Sequence, residues 1–260
     1  MGKDNAHYEL EMIRRYTSLR GETDQEIPTW LPILGLILGV AGLIMMLSSL
    51  LFIPFSGIGS ATPPAAAFFL FITGASTALI GIIAGALILL YLVYLWLDRI
   101  NKHFDRVRNL YRNLALYLEK RGYSDLSRWV DNELREMEYK MSGERSPILW
   151  AILVFLFYIL IWYVLHMVND SIRKLGASEH NIIKRLNEEL KEKGLSMLGS
   201  DIDEIGSVEK RDTILYIILS IVTLGIFTIY WAYVATKDIN QHFYAHHKIE
   251  DQLLDAIEKL

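Results

Sequence analysis

Residues 27–97 form a run of 71 residues without one charged side chain, and two further uncharged runs of 24 residues follow at 146–169 and 213–236. A soluble domain of 260 residues has no interior able to hide that much continuous apolar chain, so the sequence specifies an integral membrane protein. The 26 Lys or Arg and 30 Asp or Glu all lie outside these runs.

Composition excludes several function classes. A formal net charge of -4 supplies no basic surface for nucleic acid, and none is expected as a partner. The chain has no cysteine, which excludes disulfides, thiolate catalysis, iron–sulfur clusters and cysteine zinc sites while leaving the redox compartment open. Residues 1–26 carry six acidic and four basic side chains, unlike the short basic region and cleavable core of a secretory signal, so this segment is expected to be retained.

The long run reads as a membrane hairpin. Pro54, Gly57, Gly59, Pro63 and Pro64 interrupt it between an apolar segment from about Leu31 to Ile53 and another from about Ala66 to Leu97. Tyr91, Tyr94 and Trp96 mark a headgroup level just before Asp98. The connection 54–65 has no basic residue, whereas 98–145 has eleven and the amino-terminal tail four, which places both flanks on the cytoplasmic side.

The later runs are ambiguous. If each crosses once, residues 170–212, with eight Lys or Arg, lie outside and the tail, with three, lies inside, the reverse of the usual bias. Either these are ordinary spanning helices whose bias is offset by ten Asp or Glu in 170–212, or one or both dip into the membrane and return. Gly225 offers a break in the last run; nothing comparable marks Ile148–Leu165. Non-helical backbone at that depth would need burial in protein.

Each apolar run continues into an amphipathic helix. Ile100, Phe104, Val107, Tyr111, Leu114 and Leu118 recur at three and four; Ile172, Leu175, Ile182, Leu186 and Leu190, then Ile239, Phe243, Ile249, Leu253, Ile257 and Leu260, repeat the design. Tyr91-x-x-Tyr94 followed by Ile100-Asn101-Lys102-His103-Phe104 mirrors Tyr230-x-x-Tyr233 followed by Ile239-Asn240-Gln241-His242-Phe243 at a constant offset of 139. A weaker middle copy has Trp162, Val168, Asn169 and Ile172 at the corresponding sites. Three such units can pack their apolar faces into one bundle. A further helix capped by Ser124 or Asp125 has Leu126, Trp129, Val130, Leu134 and Met137 on one side, for the membrane surface or the bundle. Gly194 to Ser207 reads as a flexible connection.

The expected architecture is therefore all-α: a polytopic helical membrane protein with amphipathic helices extending into a cytoplasmic bundle. Its parts are an amino-terminal segment 1–26, the hairpin 27–97, cytoplasmic helices 98–145, a third membrane segment 146–169, a connection 170–212 of either side, a fourth membrane segment 213–236 and a terminal amphipathic helix 237–260.

Few residues signal chemistry. Gly35-x-x-x-Gly39 and Gly81-x-x-x-Gly85, with Gly42 and Gly74 nearby, allow close helix contact within the chain or between copies. No charged group lies in an apolar run, so the strongest marker of ion-coupled transport is missing; Ser48, Ser49, Thr73, Ser76, Thr77, Thr223 and Thr228 can line a polar route or bond to their own helices. Asp238, His242, His246 and Glu250, with His247 adjacent, form the one metal-like constellation, at four-residue spacing on a single helix face. That register equally fits a solvated face, and His103 and His166 read as interfacial or packing residues. No nucleotide, zinc-hydrolase or kinase motif occurs. Hence no catalytic, cofactor-binding or metal residue is assigned, and no enzyme or cofactor is expected.

The stretch Thr223-Leu224-Gly225-Ile226-Phe227-Thr228-Ile229-Tyr230-Trp231 followed by Lys237-Asp238-Ile239-Asn240 resembles a family of prokaryotic membrane domains of unknown function, which carry a Thr-Leu-Gly-Ile-aromatic stretch, Tyr-Trp and a polar helical continuation. The resemblance covers about 210–245. It implies a prokaryotic cell membrane and assigns no reaction. The function expected from the whole is a membrane scaffold or interaction module with the lipid bilayer, a second copy or another membrane protein as partner; the alternatives are a small-solute or ion transporter or channel component, and a membrane-shaping protein.

Overall fold

The computed structural model describes residues 6–55, 64–143, 146–192, 194 and 202–260, and among these the regular elements are all α-helices. The chain runs through α1 (His7–Ser18), α2 (Arg20–Thr23), α3 (Leu31–Phe55), α4 (Pro64–Lys120), α5 (Ser124–Lys140), α6 (Pro147–Leu156), α7 (Leu160–Glu192), α8 (Ile202–Ile205), α9 (Thr213–Val222) and α10 (Ile226–Ile257). Most of the connection expected at 54–65, and residues 195–201 of the expected flexible connection, lie outside the described residues.

Two helices, α3 and α4, are long and apolar enough to cross a membrane. Glycine lets their backbones meet: a Cβ on Gly42 would lie 2.8 Å from the Ala78 carbonyl oxygen, one on Gly81 2.9 Å from that of Leu38, and one on Gly85 2.9 Å from that of Gly35. The stripes are thus used within the chain, where apolar side chains have no drive to leave lipid and close packing must supply the attraction. At 57 residues, α4 is about 85 Å long, so residues 98–120 continue well beyond the apolar part as one uninterrupted helix.

The later apolar runs do not form single long helices. Each begins with a ten-residue helix, about 15 Å long and half the depth of a hydrocarbon layer. Ser146 caps α6 by accepting from the Leu149 N–H, with Pro147 following, and Asp212 caps α9 by accepting from the Ile214 and Leu215 N–H groups. Both chains then fold back. Trp150 and Tyr163 stack at 5.2 Å across the α6–α7 turn, and Tyr216 meets Trp231 at 5.2 Å across the α9–α10 turn; in straight helices these pairs would be about 20 Å apart.

The second turn is the break expected at Gly225. Leu224 and Gly225 adopt φ of 51° and 93°, the left-handed region that glycine reaches without a Cβ penalty. The first turn corrects the expectation that nothing interrupts 148–165. Phe157 leaves the helix at φ -133°, ψ 82° with no glycine or proline to signal it. Phe157, Tyr158 and Ile159 are weaker helix formers than Leu or Ala, and the packing of α7 on α5 and α10 outweighs their remaining preference.

The three amphipathic extensions, with α5, form one bundle. Ile100, Leu114 and Leu118 of α4, Ile172, Leu175 and Leu186 of α7, and Ile239, Leu253 and Ile257 of α10 share its buried core. Helix α5 joins them through Leu126, Val130, Leu134 and Met137. Segment 170–192 therefore lies beside 98–120, an arrangement that simple alternating crossings would not produce. The amino terminus is tied in by Asn240, which accepts from the Ile27 N–H at 2.9 Å and donates to the Ile27 carbonyl at 2.7 Å.

Gly81→Ala and Gly85→Ala force a methyl group into opposing backbone, and each is expected to cost about 1–3 kcal/mol, read as a lower unfolding midpoint in detergent. Gly39→Ala, which meets nothing within 4 Å, is expected to leave the midpoint unchanged or raise it slightly.

Candidate metal centre

The three extensions share one core-facing register. Trp96, Ile100, His103, Val107, Leu110 and Leu114 on α4, Val168, Ile172, Leu175, Glu179, Ile182 and Leu186 on α7, and Ala235, Ile239, His242, His246, Ile249 and Leu253 on α10 alternate four- and three-residue steps, and all are buried. That is the seam of packed helices, where apolar residues belong. At one level of the seam polar groups replace them: His103, Glu179, His242 and His246.

These side chains converge. The Glu179 Oε1 lies 3.4 Å from His103 Nε2 and 3.4 Å from His246 Nε2, while its Oε2 lies 3.1 Å from His242 Nε2. One donor atom from each of His103, Glu179 and His246 falls within 4.8 Å of the others. The carboxylate and the His103 ring are 0% exposed, and His242 and His246 are 1% exposed. Yet both Glu179 oxygens, both nitrogens of His103 and of His242, and His246 Nδ1 have no aligned hydrogen-bond partner among the described residues. Buried polar atoms left so are costly and uncommon.

The spacing fits a divalent metal ion. Zinc bonds of about 2.0–2.1 Å to nitrogen or carboxylate oxygen separate neighbouring ligands of a tetrahedron by about 3.3 Å, the spacing seen from Glu179 Oε1 to two imidazoles. Imidazole and carboxylate together suit zinc and neighbouring transition metals rather than magnesium or calcium. His242 lies outside this group of three, with its Nε2 3.1 Å from the other carboxylate oxygen.

A second ring of charge orients the first. His103 Nδ1 lies 3.0 Å from Asp24 and His246 Nδ1 2.7 Å from Glu250, so each ring turns its far nitrogen toward Glu179, as outer carboxylates do for metal-bound histidines. Arg106 bridges the two carboxylates, donating to Glu250 Oε1 and to Asp24 Oδ2 at 2.6 Å each. Tyr111 places its hydroxyl 3.4 Å from His246 Nε2. His247 contacts Asp24 at 3.2 Å.

The metal-free electrostatics follow from this packing. Burial acts to raise the Glu179 and Glu250 carboxyls, but the adjacent His246 outweighs it, helped by His242 at Glu179 and by Arg106 at Glu250, so both are lowered. Burial likewise opposes ionisation of Asp24, which His103, His247 and Arg106 nevertheless hold well below the usual carboxylate range. Burial pushes the His242 imidazole down. His246 goes the other way, since Glu179 and Glu250 overcome its burial and raise it to about 10. Tyr111 is pushed up by burial and by the same two carboxylates.

Of the constellation expected on α10, His242, His246 and Glu250 face this site, and their face is core rather than solvent. Asp238 does not join them; it pairs with Arg211 at 2.6 Å. His103, read from sequence as an interfacial or packing residue, lies within the cluster and packs on Phe243 at 4.7 Å, whereas His166 lies outside it with its Nδ1 2.7 Å from Thr213 Oγ1. Glu179 and Asp24 were not singled out. Glu179 had a signal, a charged residue within the seam of Ile172, Leu175, Ile182 and Leu186, and His103 had another, the offset of 139 that pairs it with His242. Asp24 had none, because only folding brings the segment before α3 against α4.

Arg106→Met leaves two buried carboxylates without their cation and is expected to cost about 3–5 kcal/mol. The pH profile has a defined sign. Carboxyls lowered from 4.5 or 3.8 supply stability that is present above those values and lost as pH falls, while His246, raised from 6.5 to about 10, supplies stability that is complete below 6.5 and lost as pH rises through about 10. Because the His242 imidazole is pushed down from 6.5 and costs stability as pH falls below that value, the metal-free protein is expected to have its highest unfolding midpoint at about pH 6.5, with the acid limb weakened in Arg106→Met.

Comparison with known proteins locates part of this site in a family. Residues 211–254, which contain His242, His246 and Glu250 but neither His103 nor Glu179, match a domain of unknown function, DUF4234. No curated protein and no solved structure matches the chain.

Proposed function

We propose that this chain is a non-enzymatic, membrane-anchored metal-binding protein that captures one divalent transition-metal ion, zinc being the best chemical fit, as a component of ion handling at the membrane. The observation that carries this reading is the convergence of three buried imidazoles on the two oxygens of Glu179. A passive scaffold needs no such centre, and an apolar layer would hold the bundle at least as well. The apolar runs carry no charged group and α3 packs tightly on α4, which favours ion capture over a pore through this chain alone.

The same contacts support a placement in the membrane. The hairpin 27–97 spans the bilayer, and α6–α7 and α9–α10 enter the leaflet facing the bundle and return. The turns between these helices expose Leu156, Phe157, Tyr158 and Ile159, and Val222, Leu224 and Ile226, with Leu224 94% exposed; lipid is the solvent such apolar tips require. Half-depth helices also reconcile the basic residues of 170–212 with the cytoplasmic side. Trp162 and Trp96 hold the level, each donating its indole N–H to a threonine of α10, Thr228 at 3.0 Å and Thr236 at 2.9 Å.

Purified full-length protein is expected to bind one zinc ion per chain and to unfold at a higher temperature with zinc present. Combined His103→Ala and His246→Ala, or Glu179→Gln, should reduce affinity at least about tenfold, while His166→Ala should bind as wild type. Calorimetric titration reads this, and undiminished binding by the double variant would overturn the assignment. The absence of cysteine permits a clean test of placement. Single cysteines replacing Arg128 and Glu188 should be labelled from the same side of sealed vesicles, and one replacing Leu224 should be shielded from soluble reagent on both.

A further inference from the structure

A cavity of about 380 Å³ adjoins the metal centre, between the segment 204–211 and α10. Glu204, Glu209 and Lys237 of its wall are exposed, Arg211 and Asp238 are nearly covered, and His242 is 1% exposed. The cavity thus runs from solvent to a donor of the Glu179 cluster. His242 Nδ1 has no aligned hydrogen-bond partner among the described residues, and its Nε2 lies 3.1 Å from Glu179 Oε2, so the ring joins the cavity wall to the buried carboxylate. Between mouth and floor stands the Arg211–Asp238 ion pair at 2.6 Å, its side chains 11% and 12% exposed, and Arg211 also reaches the Tyr216 hydroxyl at 3.4 Å.

Resting on the metal-binding reading above, we infer that this cavity is the route by which a divalent cation reaches the site, with His242 as the receiving ligand and the Arg211–Asp238 pair as the latch across the path. Glu204 and Glu209 at the mouth attract a dication. Asp238 is the next oxygen donor along the path, but the Arg211 guanidinium occupies it. An arriving ion competes for Asp238, displaces Arg211 toward Tyr216 and the mouth, and passes to His242, which lies against Glu179. The pair therefore controls how fast the site fills while contributing little to how tightly the ion is finally held, since neither side chain belongs to the cluster of His103, Glu179 and His246.

Removing either member breaks the same ion pair but changes the path in opposite ways. Arg211→Gln frees Asp238 and removes a positive charge, so zinc loading of metal-free full-length protein should accelerate by about three- to tenfold at low ionic strength; Asp238→Asn leaves Arg211 unopposed and should slow loading by a similar factor. Glu209→Gln, at the exposed mouth, should also slow it. Equilibrium zinc affinity should stay within about twofold of wild type, and the rate differences should shrink as salt is raised. Stopped-flow loading with zinc alone reads these rates. Changes in the same direction for Arg211→Gln and Asp238→Asn, or unchanged rates in all three variants of a protein that binds zinc normally, would overturn the route and leave the metal site standing. Failure of the wild-type protein to bind zinc would overturn both.

Discussion

Glu179 brings a carboxylate to the fully buried centre of a helical bundle, and three imidazoles from two other helices close around it. Much of the remaining structure is organised by that requirement. The contact fixes α7 against α4 and α10 in a shared register, because a shift of one residue would carry the carboxylate out of the seam and put Ser178 or His180 in its place. It holds segment 170–192 beside 98–120 in the bundle, and the apolar run before it turns back within its own length. The outer ring of Asp24, Arg106 and Glu250 in turn anchors the segment entering α3 and joins the spanning hairpin to the bundle.

Such a cluster is a poor device for stability alone. Gathering buried ions costs several kcal/mol of desolvation per charge, and an apolar replacement of matching shape commonly does as well or better. The other levels of the seam are apolar, from Ile100, Ile172 and Ile239 on one side of the cluster to Leu114, Leu186 and Leu253 on the other. The polar level is therefore a local departure, and its geometry supports a cation between the donors. An ion there would replace diffuse electrostatic attraction by directed bonds to three helices, linking occupancy of the site to the arrangement of the membrane hairpins directly above it.

The parts legible in the sequence are those governed by local physics. The uncharged run 27–97 announced two apolar helices, the spacing of Ile100, Val107, Leu114 and Leu118 announced the continuation of α4, and Gly225 marked a turn that only a residue without a side chain adopts freely. The turn at Phe157 was not legible, since an apolar run without glycine or proline reads as continuous helix and tertiary packing decides otherwise. For the site, the spacing of His242, His246 and Glu250 was visible on one helix, but whether that face met solvent or core depended on the other two. Reading charged residues at seam positions as deliberately as apolar ones would have brought forward His103 and Glu179; Asp24 and Arg106 join the site only through the tertiary fold.

The most direct test of this account is X-ray absorption at the metal edge of the full-length protein loaded with one equivalent of zinc. The account predicts nitrogen and oxygen ligands at about 2.0–2.1 Å, with the multiple-scattering signature of three imidazoles that is diminished in His103→Ala and His246→Ala. A shell of oxygen ligands without imidazole scattering would contradict it.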